Sequence, residues 1–508
     1  MFVWNETSKY REFVENHRAK GSHLEPDIDG VWRADGAVDE GTRRELIDAV
    51  SELETVHNPE QYWRPLCDGM VLDLVDPTLW PAIYGRTMDE TLGGLLKIPD
   101  SCFQLPKCFR LMGATEIDPN INDKKVIKWG FSSSFSLLPA EFEISADETR
   151  TTIKSYINNL STPHQQIIFY PIIERIFTAS IPLFEHALAD LTREWYHSPR
   201  AGGCFHEVRH DLDVPLQMKR PETGITFSDY IRKAEEILSQ FENGEPITAE
   251  YSKDAKGICY RHASCRKTGR DCGKICHKDH AVFLRTGEEV LDEKNMWTPP
   301  SLDRAHKFGG RTLKVIVRLT NIMLTPDNPR FPGFNWHIIP TLNESVIATG
   351  IYYYSEENIT PAGIKLKPMK REEFLVGCRC GRSDPEFDRS ERQNRIVVFP
   401  NMLKSKFEPF ELVDKTLAGH QKILVFYLCD PSLANDVPTT RIVSPQQPGS
   451  TNYVMNQWLN VFDDKHAERF SRIMNLNSME YISREEAEEY RMKYFQDRTR
   501  FLPPSIHD

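Results

Sequence analysis

Four runs after Thr312 constrain this chain most: LKVIVRLTNIMLT (313–325), SVIATGIYYY (345–354), RIVVFP (395–400) and KILVFYL (422–428). β-Branched and aromatic residues dominate each run, and Pro, Gly, Asn or Asp bound it, so each reads as a strand. Several such strands separated by loops predict a sandwich or barrel.

The rest of the chain frames that β-rich block. Residues 1–35 read as an irregular arm. Leu46, Ile47, Val50 and Leu53 have helical spacing within 38–54, behind acidic residues. Residues 70–84, rich in Leu, Pro and aromatics, read as a packed connector. Residues 132–143 read as loop then strand, and 151–159 as a strand. Residues 163–195 form a long apolar-periodic helix, or two helices broken at Pro182. A shorter amphipathic helix over 230–241 ends at Asn243-Gly244. A charged helix spans 484–496.

The predicted class is α+β, with four parts. Residues 1–245 are a mainly helical N-terminal region with a few strands, and 246–298 a basic Cys/His-rich insertion. Residues 299–445 are the β core and 446–508 a helical tail.

At 508 residues and 40% hydrophobic content the chain can bury a sizeable core. A net charge of −11 argues against non-specific wrapping of nucleic acid, while leaving room for a local basic patch. No window approaches about eighteen uninterrupted apolar residues, so no membrane span is expected. Charges in MFVWNETSKYREFVENHR stand where a signal peptide needs an apolar stretch, which predicts a cytoplasmic protein. Its eleven cysteines are then expected to stay reduced.

Several strings carry a family resemblance: DGMVLDLVDPTLWPAIYGR (68–86), LLPAEFEI (137–144), KSYINNL (154–160), GGRTLKVIVRLTNIMLTP (309–326), WH (336–337), NESVIATGIYYYSEENIT (343–360), RIVVFPN (395–401) and GHQKILVFYLCDP (419–431). Together they resemble a fungal family known as a domain of unknown function, DUF 4246, nearly end to end. The resemblance implies a double-stranded β-helix, jelly-roll-like, of the kind used by iron(II)/2-oxoglutarate oxygenases. It also implies a His-x-acid pair after the Trp, a second His after the FPN strand, and an Arg-Lys pair near the end. Two imidazoles and a carboxylate on one face would hold Fe(II) with positions open for oxygen and the oxoacid. A basic side chain would pair with the far carboxylate of that oxoacid.

This chain departs from that pattern. His337 is present, but Ile339 takes the acidic position. The second His position aligns with Ser405, between Lys404 and Lys406, and the Arg position with Gln421. Iron is therefore not expected, unless Glu344 or His420 supplies a displaced ligand.

A subgroup similar to this family, the arginine-containing cyclodipeptide synthases of fungi, joins arginine to a second amino acid to give a diketopiperazine for secondary metabolism. Both are taken from aminoacyl-tRNAs. The resemblance thus implies a transferase that uses arginyl-tRNA and a second aminoacyl-tRNA and needs no cofactor for catalysis. An activated ester needs only proximity, a base and oxyanion stabilisation. His337 is the candidate base, or a relic of the barrel. Ser405 is a candidate acyl acceptor, or filler where a ligand was lost. Lys404 would stabilise an oxyanion or touch phosphate. Glu344, with Asn343 beside it, is the candidate for a guanidinium, and Tyr352 and Tyr354 for lining the pocket. An iron(II)/2-oxoglutarate oxygenase, or a pseudoenzyme derived from one, is the alternative.

The insertion holds Cys259, Cys265, Cys272 and Cys276 as C-x5-C-x6-C-x3-C, with His262, His277 and His280 nearby. These suit a structural zinc, or are idle thiols. Arg266, Lys267, Arg270 and Lys274 make the same segment the candidate tRNA surface. HEVRH at 206–210 matches the zincin pattern, but its flanks are loop-like and it reads as coincidence. Cys378 and Cys380 lack a second pair and read as idle.

Overall fold

In the computed structural model the described residues are 2–19, 23–27, 30–56, 63–89, 94–98, 132, 134–160, 162–191, 300, 302, 306–337, 342–368, 393–401, 403–431, 439–441 and 482–500. Most belong to one compact unit, Val14–Tyr196 with Pro300–Asp508. Of the other unit, Met1–Phe13 with His197–Pro299, only part of the first helix is described. The Cys/His-rich insertion, HEVRH, the helix expected over 230–241, and Cys378 and Cys380 lie outside the described residues.

Helix α1 (Phe2–Ala19) precedes β1 (Leu24–Pro26), β2 (Trp32–Asp35), α2 (Glu40–Val56) and β3 (Val71–Val75). Four two-residue strands follow: β4 (Ala82–Ile83), β5 (Met88–Asp89), β6 (Gly94–Leu95) and β7 (Phe135–Ser136). Then come β8 (Ala140–Ile144), β9 (Thr151–Ile153) and the long helix α3 (Pro163–Leu191). The second half holds β10 (Thr312–Leu324), β11 (Arg330–Phe331), β12 (Val346–Glu357), β13 (Ile364–Pro368) and β14 (Arg395–Pro400). It closes with β15 (Leu403–Phe407), β16 (Phe410–Glu411), β17 (Gly419–Cys429) and helix α4 (Arg484–Arg500).

The main sheet runs β1-β2-β14-β12-β17-β10-β8-β9, with β3 also on β10, and its pairs are antiparallel. A smaller layer pairs β11 with β16 and β13 with β15, and His337 bridges Ser405. Along the chain β10, β12, β14 and β17 go to the main sheet, whereas β11, β13, β15 and β16 go to the smaller layer. That alternation is the double-stranded β-helix, and the chain is a mixed α+β protein. The four apolar runs lie at its centre. They are apolar on both faces because one face meets the smaller layer and the other meets helices.

Helix α3 covers the outer face. Phe177 sits edge-on to Phe426 of β17 at 5.2 Å, and Trp32 of β2 donates to Asp190 at 2.7 Å. Gly350 of β12 faces Phe184, where an added Cβ would come within 2.7 Å of the ring. By length and composition α3 could cross a membrane, but half of its apolar stretch is buried against this sheet.

Four expectations are corrected. The irregular arm contains α1, and its β1 and β2 extend the main sheet beyond β14, because β2 can seat Trp32 under α3. The connector at 70–84 contains β3, whose Asp73 is wholly buried. The strand expected over 151–159 stops at Ile153, and the backbone turns at Asn159 (φ 65°). Helix α3 does not break at Pro182. Pro171 and Pro182 are three turns apart on its exposed face, so the missing N–H bonds fall on the solvent side.

Candidate functional site

A cavity of about 40 Å³ opens between the two layers. Strand alternation decides what lines it. Arg318 and Thr320 of β10 pair with Val425 and Ile423 of β17, and Thr349 and Ile351 of β12 pair with Tyr427 and Val425. All of these face the cavity, and Phe334, His337, Ser405 and Phe407 close it from the smaller layer.

His337 and Ser405 are a hydrogen-bonded antiparallel pair. The His337 N–H donates to the Ser405 carbonyl at 3.0 Å, and the Ser405 N–H donates back at 3.0 Å. Their side chains therefore share one face. His337 Nδ1 lies 2.9 Å from the Asn335 carbonyl. A carbonyl can only accept, so the ring donates through Nδ1–H there.

The inner wall is cationic. Arg64 donates twice to Asp73, at 2.8 and 2.7 Å, and its guanidinium lies 5.0 Å over the Phe334 ring. Arg491 of α4 reaches Asp73 at 3.1 Å and Asp76 at 2.7 Å. Thr320 donates to Asp73 at 2.7 Å, and Thr78 to Asp76 at 2.6 Å. Arg318 touches Asp76 through Nη2 alone, at 3.2 Å. Burial pushes the Asp73 carboxyl up, but Arg64, Arg318 and Arg491 outweigh it and hold it well below its ordinary range.

Several residues expected in the pocket are elsewhere. Lys404 alternates with Ser405, so it turns away from the cavity and cannot meet an oxyanion there. Glu344 accepts from the Leu137 N–H at 2.8 Å, and Asn343 accepts from the Ser132 N–H at 2.8 Å. Both are engaged with backbone N–H groups of Ser132 and Leu137, and neither lines the cavity. Tyr352 and Tyr354 point to the helix side, hydrogen-bonding Asn394 and Asn321 at 2.9 Å each. A one-residue shift in strand phase decides this, and it places Ile351 in the cavity instead. Arg266, Lys267, Arg270, Lys274 and the four candidate zinc cysteines lie outside the described residues.

The displaced-ligand candidates are also accounted for. His420 shares the helix-facing phase of Lys422, which pairs with Glu54 at 2.8 Å. Its Nε2 lies 2.8 Å from the Ser355 hydroxyl, and burial and then Lys422 lower its pKa. Gln421 is engaged by Glu356 at 2.8 Å. No three His, Cys, Asp or Glu side chains among the described residues are grouped to hold a metal. Of the donor set that the resemblance implies, these residues place His337 alone in the cavity, and that does not fit a three-ligand iron centre.

A paired imidazole and hydroxyl thus face an arginine-lined wall between the two layers of a double-stranded β-helix. The chain matches the family described as "Protein of unknown function (DUF4246)" over residues 2–385 and 389–452, and it belongs to that family. No curated protein matches it.

Similar solved structures include an Fe(II)/α-ketoglutarate-dependent dioxygenase, at 13% identity over 32% of this chain and 57% of that one, with a TM-score of 0.18. A prolyl hydroxylase from Trichoplax adhaerens is 10% identical over 30% and 57%, with a TM-score of 0.16. A 2OG-Fe(II) oxygenase-family oxidoreductase from Burkholderia pseudomallei is 11% identical over 31% and 62%, with a TM-score of 0.18. The chain spans less than two thirds of each. These are oxygenases by name, not tRNA-dependent transferases. On this finding the expected aminoacyltransferase is corrected, and with it the cyclodipeptide product and the exclusion of iron.

Sequence reading missed the cationic wall. Arg64, Arg318 and Arg491 come from a loop, a core strand and the C-terminal helix, so no local motif announces them. An arginine amid the β-branched and aliphatic residues of β10 is the one available signal.

Proposed function

We propose that this protein is a small-molecule enzyme of the Fe(II)/2-oxoglutarate oxygenase type, working in the cavity between its two layers. The observation that carries the reading is the His337–Ser405 pair. It puts an imidazole beside a hydroxyl on the cavity face of the double-stranded β-helix. Ile351, Ile423 and Val425 would exclude water, and the arginine wall would orient an acidic ligand. Iron with 2-oxoglutarate would supply the oxidising chemistry when bound. The described donors do not complete a site for it, so no step is assigned to it.

That same shortfall favours a second reading, a barrel derived from an oxygenase that binds an acid without turning it over. Full-length protein supplied with Fe(II), 2-oxoglutarate and air decides between them by succinate formation. Succinate that disappears in His337→Ala supports the first reading. Binding of 2-oxoglutarate without succinate supports the second, and neither binding nor turnover overturns both.

A further inference from the structure

Arg64 and Arg318 of the inner wall and Arg491 meet only two carboxylates, Asp73 and Asp76, both fully buried. One positive charge is left over in a desolvated place, and such a charge is costly without a counterion. The surplus falls on Arg318. Arg64 has a two-bond fork, and Arg491 hydrogen-bonds Asp73 and lies within ion-pair distance of Asp76 without a hydrogen bond to it, whereas Arg318 has one bond of 3.2 Å. Its side chain is 6% exposed, it lines the cavity, and its Nε–H is buried without a hydrogen-bond partner. Across the same cavity the hydroxyls of Thr349 and Ser405 have no hydrogen-bond partner among the described residues.

We infer that this wall is a carboxylate subsite in which Arg318 binds the ligand's acid group, while Arg64 and Arg491 occupy the aspartates and leave Arg318 its charge. The site is separate from Gln421, where the resemblance would put the oxoacid's basic partner. It rests on the proposed function only in using the same cavity. A single carboxylate group balances the single surplus charge. At about 40 Å³ the cavity holds roughly three waters' worth of space, which suits a carboxylate head with a short aliphatic stem against Ile351 and Val425. A guanidinium offers a carboxylate a planar fork that a lysine cannot copy.

Acetate, pyruvate, inorganic phosphate and chloride are titrated separately into the full chain by calorimetry, with thermal melts alongside. Acetate and pyruvate are expected to bind saturably and raise the melting midpoint, and phosphate and chloride to do neither. Arg318→Lys, which keeps the charge, should weaken pyruvate at least about tenfold. No carboxylate binding to the wild type, or equal binding to Arg318→Lys, overturns the inference. Should that variant fail to fold, Thr349→Val is read instead, since it leaves the ion cluster intact. Weaker pyruvate binding supports the subsite and unchanged binding overturns it. Succinate formation without this binding overturns the subsite and keeps the oxygenase reading, and binding without succinate does the reverse.

Discussion

Asp73 shows how far one residue can matter here. It accepts from Arg64, Thr320 and Arg491 and has no exposed surface. Asp73→Asn keeps the shape but strands those cations, and removing one partner of a buried ionic network costs about 3–5 kcal/mol. Urea unfolding of the variant should show a loss of that size, and a loss below about 1 kcal/mol would mean the cluster is hydrated. At this scale the sequence was only partly legible. His337 and Ser405 were singled out from their strings, and both reach the cavity. Lys404, Tyr352 and Tyr354 were chosen by chemistry, but the two-residue period of a strand turned them away.

Elements were more legible than sites. Helix α2 and the four core strands appeared where their periodicity placed them, because burial of a continuous apolar surface selects both pattern and position. Pro182 stands inside α3, where a proline costs a helical hydrogen bond. The helix continues because the proline lies on the exposed face and the opposite face is held by the sheet. Pro182→Ala should therefore restore a helical bond at little packing cost. It should stabilise the protein by up to about 3 kcal/mol in chemical denaturation, and destabilisation would show that the packing of the proline ring outweighs the lost bond. Gly350→Ala tests the opposite side of the same contact. Its Cβ would press on Phe184 at 2.7 Å and should cost about 1–3 kcal/mol, read as a lower melting midpoint.

Over the whole molecule, long-range ion pairs join parts that sequence reading treats as separate regions. Glu185 of α3 binds Lys307 at 2.7 Å and the Phe308 N–H at 2.9 Å, just before β10, and Glu148 binds the same lysine at 2.9 Å. Burial pushes the Glu185 carboxyl up to about 7, against the pull of Lys307. A carboxyl raised from 4.5 binds its proton more tightly in the folded state. Its contribution to stability is full below pH 4.5 and is lost as pH rises through about 7. Glu185→Gln should flatten that fall when unfolding free energy is measured from pH 4.5 to 7.5, and an unchanged slope would remove Glu185 as its source.

By itself the sequence determined the layers. Strand content, helix periodicity and the family strings are local, and hydrophobic burial turns them into a double-stranded β-helix under a helix. Tertiary structure alone decided the charge of the cavity and which side chains enter it. Arg64, Arg318 and Arg491 are brought together only when the strands take their register and α4 docks. The physical reason is that a strand's phase is set by its neighbours across the sheet, whereas its composition reads the same in either phase.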